Sequence, residues 1–178
     1  LFGDDFPGAT LDTTNKWDII TGTPTVNNGL YLNDGERIDT KTWSGNTVAL
    51  RLKATYPDET GASVYSQVGL FENTASAVNQ FLTYWNWDVR SINDAGEEEV
   101  TTIGSYAGEH TFEIKKNGGI SAKYYVDDVL KDTDTTYIRD GVLPILLNKA
   151  GPNDLLINWV FAHKYVTSPP TYAFGSEE

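Results

Sequence analysis

The chain is 178 residues long, with 13 basic and 25 acidic side chains and a net charge of −12. That length suits one domain, and the acidic balance excludes nucleic acid and anionic membrane surfaces, both of which require clustered Lys and Arg. Cysteine is absent, so disulfides, thiolate metal sites and cysteine nucleophiles are excluded together.

In chain order, the first clear period-2 pattern is Thr47–Tyr56. Val48, Leu50, Leu52, Ala54 and Tyr56 fall on one face, and Thr47, Arg51, Lys53 and Thr55 on the other. This is the pattern of a half-buried antiparallel strand. Val64–Phe71 alternates in the same way. The longest candidate is a single strand over Asn79–Ile92, with Phe81, Thr83, Trp85, Trp87 and Val89 opposite Gln80, Leu82, Tyr84, Asn86, Asp88 and Arg90. Glu97–Glu99 reads as a solvated charge run in a loop. Glu109–Lys116, Asn117-Gly118-Gly119 and Ile120–Val126 form a predicted hairpin, and a tight turn at Asp127-Asp128 leads into Val129–Thr133. The acids Asp127, Asp128, Asp132 and Asp134 read as a solvated hairpin. Leu143–Leu147 and Leu155–Val166 are the closing strands. Asn28-Gly29, Asp34-Gly35 and Asp140-Gly141 mark further turns, because Asn, Asp and Gly tolerate positive φ.

No window carries a helical stripe, and no apolar run approaches the ~20 residues that a membrane-spanning helix needs. Many short strands with frequent turns predict an all-β chain, an antiparallel β-sandwich of jelly-roll type, as one domain over residues 1–166. The stretch Thr167-Ser168-Pro169-Pro170-Thr171 reads as the start of a linker or tail over residues 167–178, with a neighbouring domain expected beyond it. The start at Leu1, with neither a charged n-region nor an apolar h-region, is the one expected of a mature product or a piece of a longer chain.

Three segments carry a family resemblance. Asp4-Asp5-Phe6 with Leu11-Asp12-Thr13-Thr14-Asn15-Lys16-Trp17 is the first. Glu109-His110-Thr111-Phe112-Glu113-Ile114 with Tyr124-Tyr125-Val126-Asp127-Asp128-Val129-Leu130 is the second, and Ile157-Asn158-Trp159-Val160-Phe161 with Tyr165-Val166 the third. Together, and in this order, they resemble the concanavalin A-like lectin/glucanase superfamily over nearly the whole chain. Asp128 stands where that pattern usually has a turn Gly, and Asn158 where it usually has Asp. The resemblance implies two curved antiparallel sheets with a concave carbohydrate-binding face, and the superfamily holds both hydrolases and non-catalytic binding modules.

Glycoside hydrolysis needs two carboxylates on one face, ~5–5.5 Å apart for retention and ~6.5–9.5 Å for inversion. Laminarinase-type relatives place Glu-x-Asp-x-(x)-Glu on a central strand, and the stretch expected to correspond, Gln80–Arg90, carries only Asp88. A lyase would want His or Tyr as base beside a basic cluster, and Arg51 and Lys53 with His110 or His163 only hint at one. The expectation is therefore a non-catalytic carbohydrate-binding module, not an enzyme, from the binding-module branch of the superfamily. Its rivals are a structural or adhesive sandwich without a sugar ligand, and a glycan hydrolase or lyase.

Sugar rings are gripped by aromatic stacking and by amide, carboxylate and guanidinium groups on the hydroxyl fringe. Tyr84, Trp85, Asn86, Trp87, Asp88 and Arg90 have that composition, and Tyr65 and Gln67 are expected on an adjacent strand on the same side. Trp85 and Trp87 share a face with Phe81 and Val89, which leaves a core role open for both. The ligand expected is a neutral polysaccharide, a β-glucan or similar, met outside the cell or at its surface. The resemblance also implies a structural calcium, with Asp4, Asp5 and Asn158 at the matching positions.

Overall fold

A computed structural model describes residues 1–58, 65–71, 78–83 and 87–166 of the chain. Among them are β1 (Phe2–Asp4), β2 (Trp17–Thr21), β3 (Thr25–Val26), β4 (Leu30–Leu32), β5 (Arg37–Gly45), β6 (Thr47–Tyr56), β7 (Tyr65–Phe71) and β8 (Val78–Thr83). They are followed by β9 (Trp87–Ile92), β10 (Glu98–Thr102), β11 (Gly108–Asn117), β12 (Ser121–Val126), β13 (Val129–Asp134), β14 (Leu143–Ala150) and β15 (Leu155–Lys164). The predicted tail, residues 167–178, lies outside the described residues.

The strands form two antiparallel sheets. Sheet A runs β13-β12-β11-β6-β15-β4-β3, with β1 also paired to β15. Sheet B runs β10-β9-β8-β7-β14-β5-β2, so β7 is its central strand. The predicted all-β jelly-roll sandwich is the architecture found.

The core lies between the sheets, where the period-2 pattern puts it. Val48, Leu50, Leu52, Ala54 and Tyr56 of β6 are buried, and so are Val68 and Leu70 of β7. Aromatic rings tie one sheet to the other. Tyr56 of sheet A meets Trp87 of sheet B at 5.0 Å between centroids, and Phe81 of sheet B meets Phe112 of sheet A edge-on at 5.1 Å. Such pairs add about 0.5–1.5 kcal/mol each beyond the area they bury.

Three expectations change. The single strand over Asn79–Ile92 is two strands, β8 and β9, paired antiparallel. Across the reversal odd positions pair with odd ones, Phe81 with Val89 and Thr83 with Trp87, so inward and outward positions keep alternating and the sequence shows no seam. Glu98 and Glu99 belong to the edge strand β10 rather than to a loop. The acids of β13 are not uniformly solvated either, for Asp134 is buried. A bulge between Tyr124 and Tyr125 sets Asp132 opposite Tyr124 and Asp134 opposite Ala122, on the side that faces the core.

At Asp127-Asp128 both residues have positive φ, 50° and 64°, the requirement of a two-residue turn whose twist matches the strands it joins. Asp meets it at low cost because its short polar side chain tolerates the left-handed region.

The centre of sheet B is closely packed at Gly69. A Cβ there would stand 2.3 Å from the Asn79 carbonyl oxygen and 2.7 Å from the Gln80 Cα, both backbone atoms of β8. Gly69→Ala should therefore cost about 1–3 kcal/mol by overpacking, read as a lower urea midpoint. A variant as stable as the parent would show that β7 and β8 separate freely.

Candidate functional site on sheet B

Alternation along β7, β8 and β9 fixes the outer face of sheet B. Val68, Leu70, Phe81, Trp87 and Val89 point into the core, so Tyr65, Gln67, Gly69, Gln80, Leu82, Asp88 and Arg90 lie on the other side. Strand register arranges these in rows. One row is Asn148, Gln67, Leu82, Asp88 and Thr102. The next is Asp39, Leu146, Gly69, Gln80, Arg90 and Val100.

Of the site residues read from sequence, Tyr65, Gln67, Asp88 and Arg90 are brought to one face. Strand β8 lies between β7 and β9, so the two pairs are not on adjacent strands as expected. Trp87 is placed otherwise, 6% exposed in the core against Tyr56 and Tyr106, and its ring is not available to a sugar. Tyr84, Trp85 and Asn86 lie outside the described residues. Gln80, Asn148, Thr102, Arg37 and Asp39 were missed. Gln80 stood on the polar side of the predicted strand, a usable signal, whereas the others needed the strand order.

The polar groups of this face are unequally engaged. Asn148 donates through Nδ2 to Gln67 Oε1 at 2.7 Å. Arg37 holds Asp39 through two hydrogen bonds, at 3.2 and 2.9 Å, and Arg90 is paired with Glu98. Asp88 accepts from the Thr102 hydroxyl at 2.7 Å through Oδ1, while no described residue donates to its Oδ2. Gln80 is 2% exposed, and its Oε1 is buried without a hydrogen-bond partner. Such an acceptor costs about 1–3 kcal/mol until a donor reaches it. An apolar cluster of Phe71, Ile92 and Leu146 stands beside these rows.

Asp18 and Asp39 stand opposite one another on β2 and β5, each paired with a cation, Lys41 and Arg37. Asp88 faces no described carboxylate, its cross-strand partners being Leu82 and Thr102. Asp39 is four strands from Asp88, about 19 Å at ~4.8 Å per strand. Glu98 pairs with Ile92, four residues along from Asp88, about 13 Å between backbone positions, and its carboxylate is held by Arg90. The basic cluster that a lyase would need does not assemble here, because Arg51 pairs with Asp128 and Lys53 with Glu109 on sheet A. His110 is bonded to Asp127, Nδ1 to Oδ2 at 2.6 Å.

The calcium trio does not fit together. Asp4 points inward, accepting from the Trp17 indole N–H at 2.7 Å and from the Phe6 amide at 3.0 Å, with Lys16 Nζ 3.5 Å away. Asp5 is exposed on the other side of the chain. Asn158 keeps a free ligand atom, since its Oδ1 is buried and unpartnered. Asp4 and Asp5 face apart and the Asp4 oxygens already have donors, so these residues do not form one ligand set.

No protein-family model matches the chain, and no curated protein sequence matches it. Solved structures do. A glycosyl hydrolase family 16 protein from Mycobacterium smegmatis superposes with a TM-score of 0.71 at 12% identity, over 92% of this chain and 99% of that one. The β-glucanase of Bacillus licheniformis gives 0.67 at 15% identity, over 89% and 95%. The chain has the concanavalin A-like lectin/glucanase fold. An uncharacterised protein from Mycobacterium paratuberculosis shares it, with a TM-score of 0.74 at 14% identity over 91% of this chain and 99% of that one.

These neighbours correct two expectations, that the chain is a non-catalytic carbohydrate-binding module and that it is not an enzyme. The proteins that share the fold over almost their whole lengths include glycosyl hydrolases and a β-glucanase. The binding-module expectation also rests on the wrong strand, since 80–90 is not one strand and β7, not this stretch, is central.

Proposed function

We propose that the chain is a glycan hydrolase whose substrate, a neutral polysaccharide, lies along the outer face of sheet B. The observation that carries this is the polar face around Gln80, in one row with Gly69 and Arg90, beside Asp88 with its open Oδ2. Gly69 adds no side chain to that row, and Gln67 and Asn148 offer further amides in the next. The glucanase neighbours support a β-glucan as the polymer. A polymeric substrate places the work outside the cell or at its surface.

Hydrolysis needs a proton donor at the glycosidic oxygen and a carboxylate that assists water or the sugar. Asp88 Oδ2 is a carboxylate oxygen of this face that the described residues leave open, and it supplies one of those two roles. Asp88→Asn is expected to lower kcat at least ~100-fold, the scale of a lost acid–base group, with an unchanged melting midpoint. The measurement is reducing-end release from soluble β-glucan, xylan and mannan. Absence of new reducing ends from all three with the parent protein would overturn the hydrolase reading.

A further inference from the structure

Sheet A carries a second feature that the sheet B site does not use. Its outer face holds a hollow of about 320 Å³ lined by Gly3, Asp4, Asp5, Trp159, Val160 and Phe161. That volume falls at the small end of the ~300–1,000 Å³ typical of small-molecule sites.

The hollow is a product of local backbone structure. A bulge in β15 between Ile157 and Trp159 resets the alternation. Val160 and Ala162 then face the core, and Trp159 and Phe161 face out. Phe161 is 39% exposed. Its partner across the strand pair is Gly3, and a Cβ there would come within 3.2 Å of Phe161 Cδ2. The missing side chain at Gly3 is what leaves the flank of the ring open. Beside it stands Asp5, whose carboxylate has no hydrogen bond or ion pair to any described residue.

We propose that this hollow binds a pyranose ring of a neutral glycan, with the Trp159 and Phe161 rings against the C–H face of the sugar and Asp5 accepting from its hydroxyls. Aromatic rings and an open acceptor are what an uncharged sugar ring requires. The electrostatics exclude anionic ligands. Arg51 stands opposite Phe161 and Lys53 opposite Trp159, but both are neutralised, by Asp128 and Glu109. Asp5 and the net charge of −12 repel an acidic sugar. The hollow is on the sheet opposite to the substrate face, so it holds polymer without occupying the site of cleavage. It takes its ligand class from the hydrolase reading but stands on separate residues.

The test is a backbone and indole NMR titration with laminarihexaose, cellohexaose and mannohexaose. Shifts of the Trp159 indole and of amides 3–5 and 159–161 with at least one of the three are expected. Phe161→Ala and Asp5→Ala should each weaken that binding at least fivefold. Both should leave the melting midpoint and the turnover of soluble substrate unchanged. Shifts confined to β7 and β9 would support the sheet B site and overturn this one. Absence of shifts at the hollow with all three sugars also overturns it, and reducing-end release still judges the hydrolase reading independently. Wild-type affinity in both variants would mean that the hollow serves another purpose, such as covering by protein.

Discussion

Trp17→Ala is expected to lower stability by about 3–5 kcal/mol, the range for truncating a fully buried Trp. Trp17 has no exposed surface. Its ring is packed edge-on by Phe2 at 5.3 Å and tilted against Phe6 at 5.7 Å. In a domain of this size each kcal/mol moves the melting midpoint by roughly 2–4 °C, so a drop on the order of 6–20 °C should be seen by calorimetry. A loss under ~1 kcal/mol would show that the N-terminal strap is dispensable.

The loss is not only cavity. The Trp17 indole donates to Asp4 Oδ2, and Asp4 is itself 7% exposed. Removing the ring therefore strands a buried carboxylate that keeps only the Phe6 amide and Lys16. Trp17→Phe separates the two effects, since it keeps an aromatic ring and deletes the N–H, and should cost about 1–3 kcal/mol. Asp4→Ala should cost a similar amount by orphaning the indole. The double variant should lose less than the sum by about 0.5–3 kcal/mol, because the two groups share one hydrogen bond. Strict additivity would dissolve the pairing.

What could be read from the sequence follows from how each strand is buried. Strand β6 is central in sheet A, with β11 and β15 on either side, and one face is wholly apolar. Its bounds were therefore read to the residue. Strand β5 is not legible in this way. Of its inward positions Thr40 is polar, and its hydroxyl is satisfied within the fold, accepting from the Ile145 amide at 2.9 Å and donating to the Trp43 carbonyl at 2.8 Å. Strand β10 is an edge strand with no fully buried position, and pairing with β9, invisible in its own residues, makes it a strand.

The same division holds at the candidate site. Alternation alone put Tyr65, Gln67, Asp88 and Arg90 on one face, because one face of each strand is core. It could not supply strand order, so β8 with Gln80 was not seen between them and Asn148 of β14 was not seen beside Gln67. Nor does alternation reveal what a bulge does. The outward turn of Trp159 and the inward turn of Asp132 and Asp134 both follow from one-residue register shifts.

The inward turn of Asp134 makes stability depend on pH. Its Oδ2 accepts from the Ser91 hydroxyl at 2.5 Å, and Ser91 also meets the Tyr124 hydroxyl at 2.8 Å and the Asn79 amide at 2.9 Å. Its Oδ1 has no partner, and neither has the buried Oδ2 of Asp132. Burial, with the nearby Asp132 and Glu99 carboxylates, pushes the Asp134 carboxyl up to about 7 from 3.8, against the lowering effect of the Ser91 hydrogen bond. The folded chain therefore binds this proton more tightly than the unfolded one. The stabilisation is fully present below pH ~3.8 and is lost as pH rises through about 7. A tenfold change in proton affinity is worth about 1.4 kcal/mol, so the two values set a ceiling of roughly 4 kcal/mol. Asp134→Asn keeps the shape, supplies a permanent donor toward Asp132 in place of the proton, and removes the titration. The difference in urea-unfolding free energy, variant minus parent, should grow in favour of the variant between pH 5 and pH 8. Titrating groups remote from Asp134 are common to both proteins and cancel in that difference. A difference that does not change over this range would mean that Asp134 enters the fold already ionised, with its charge met by groups other than a proton.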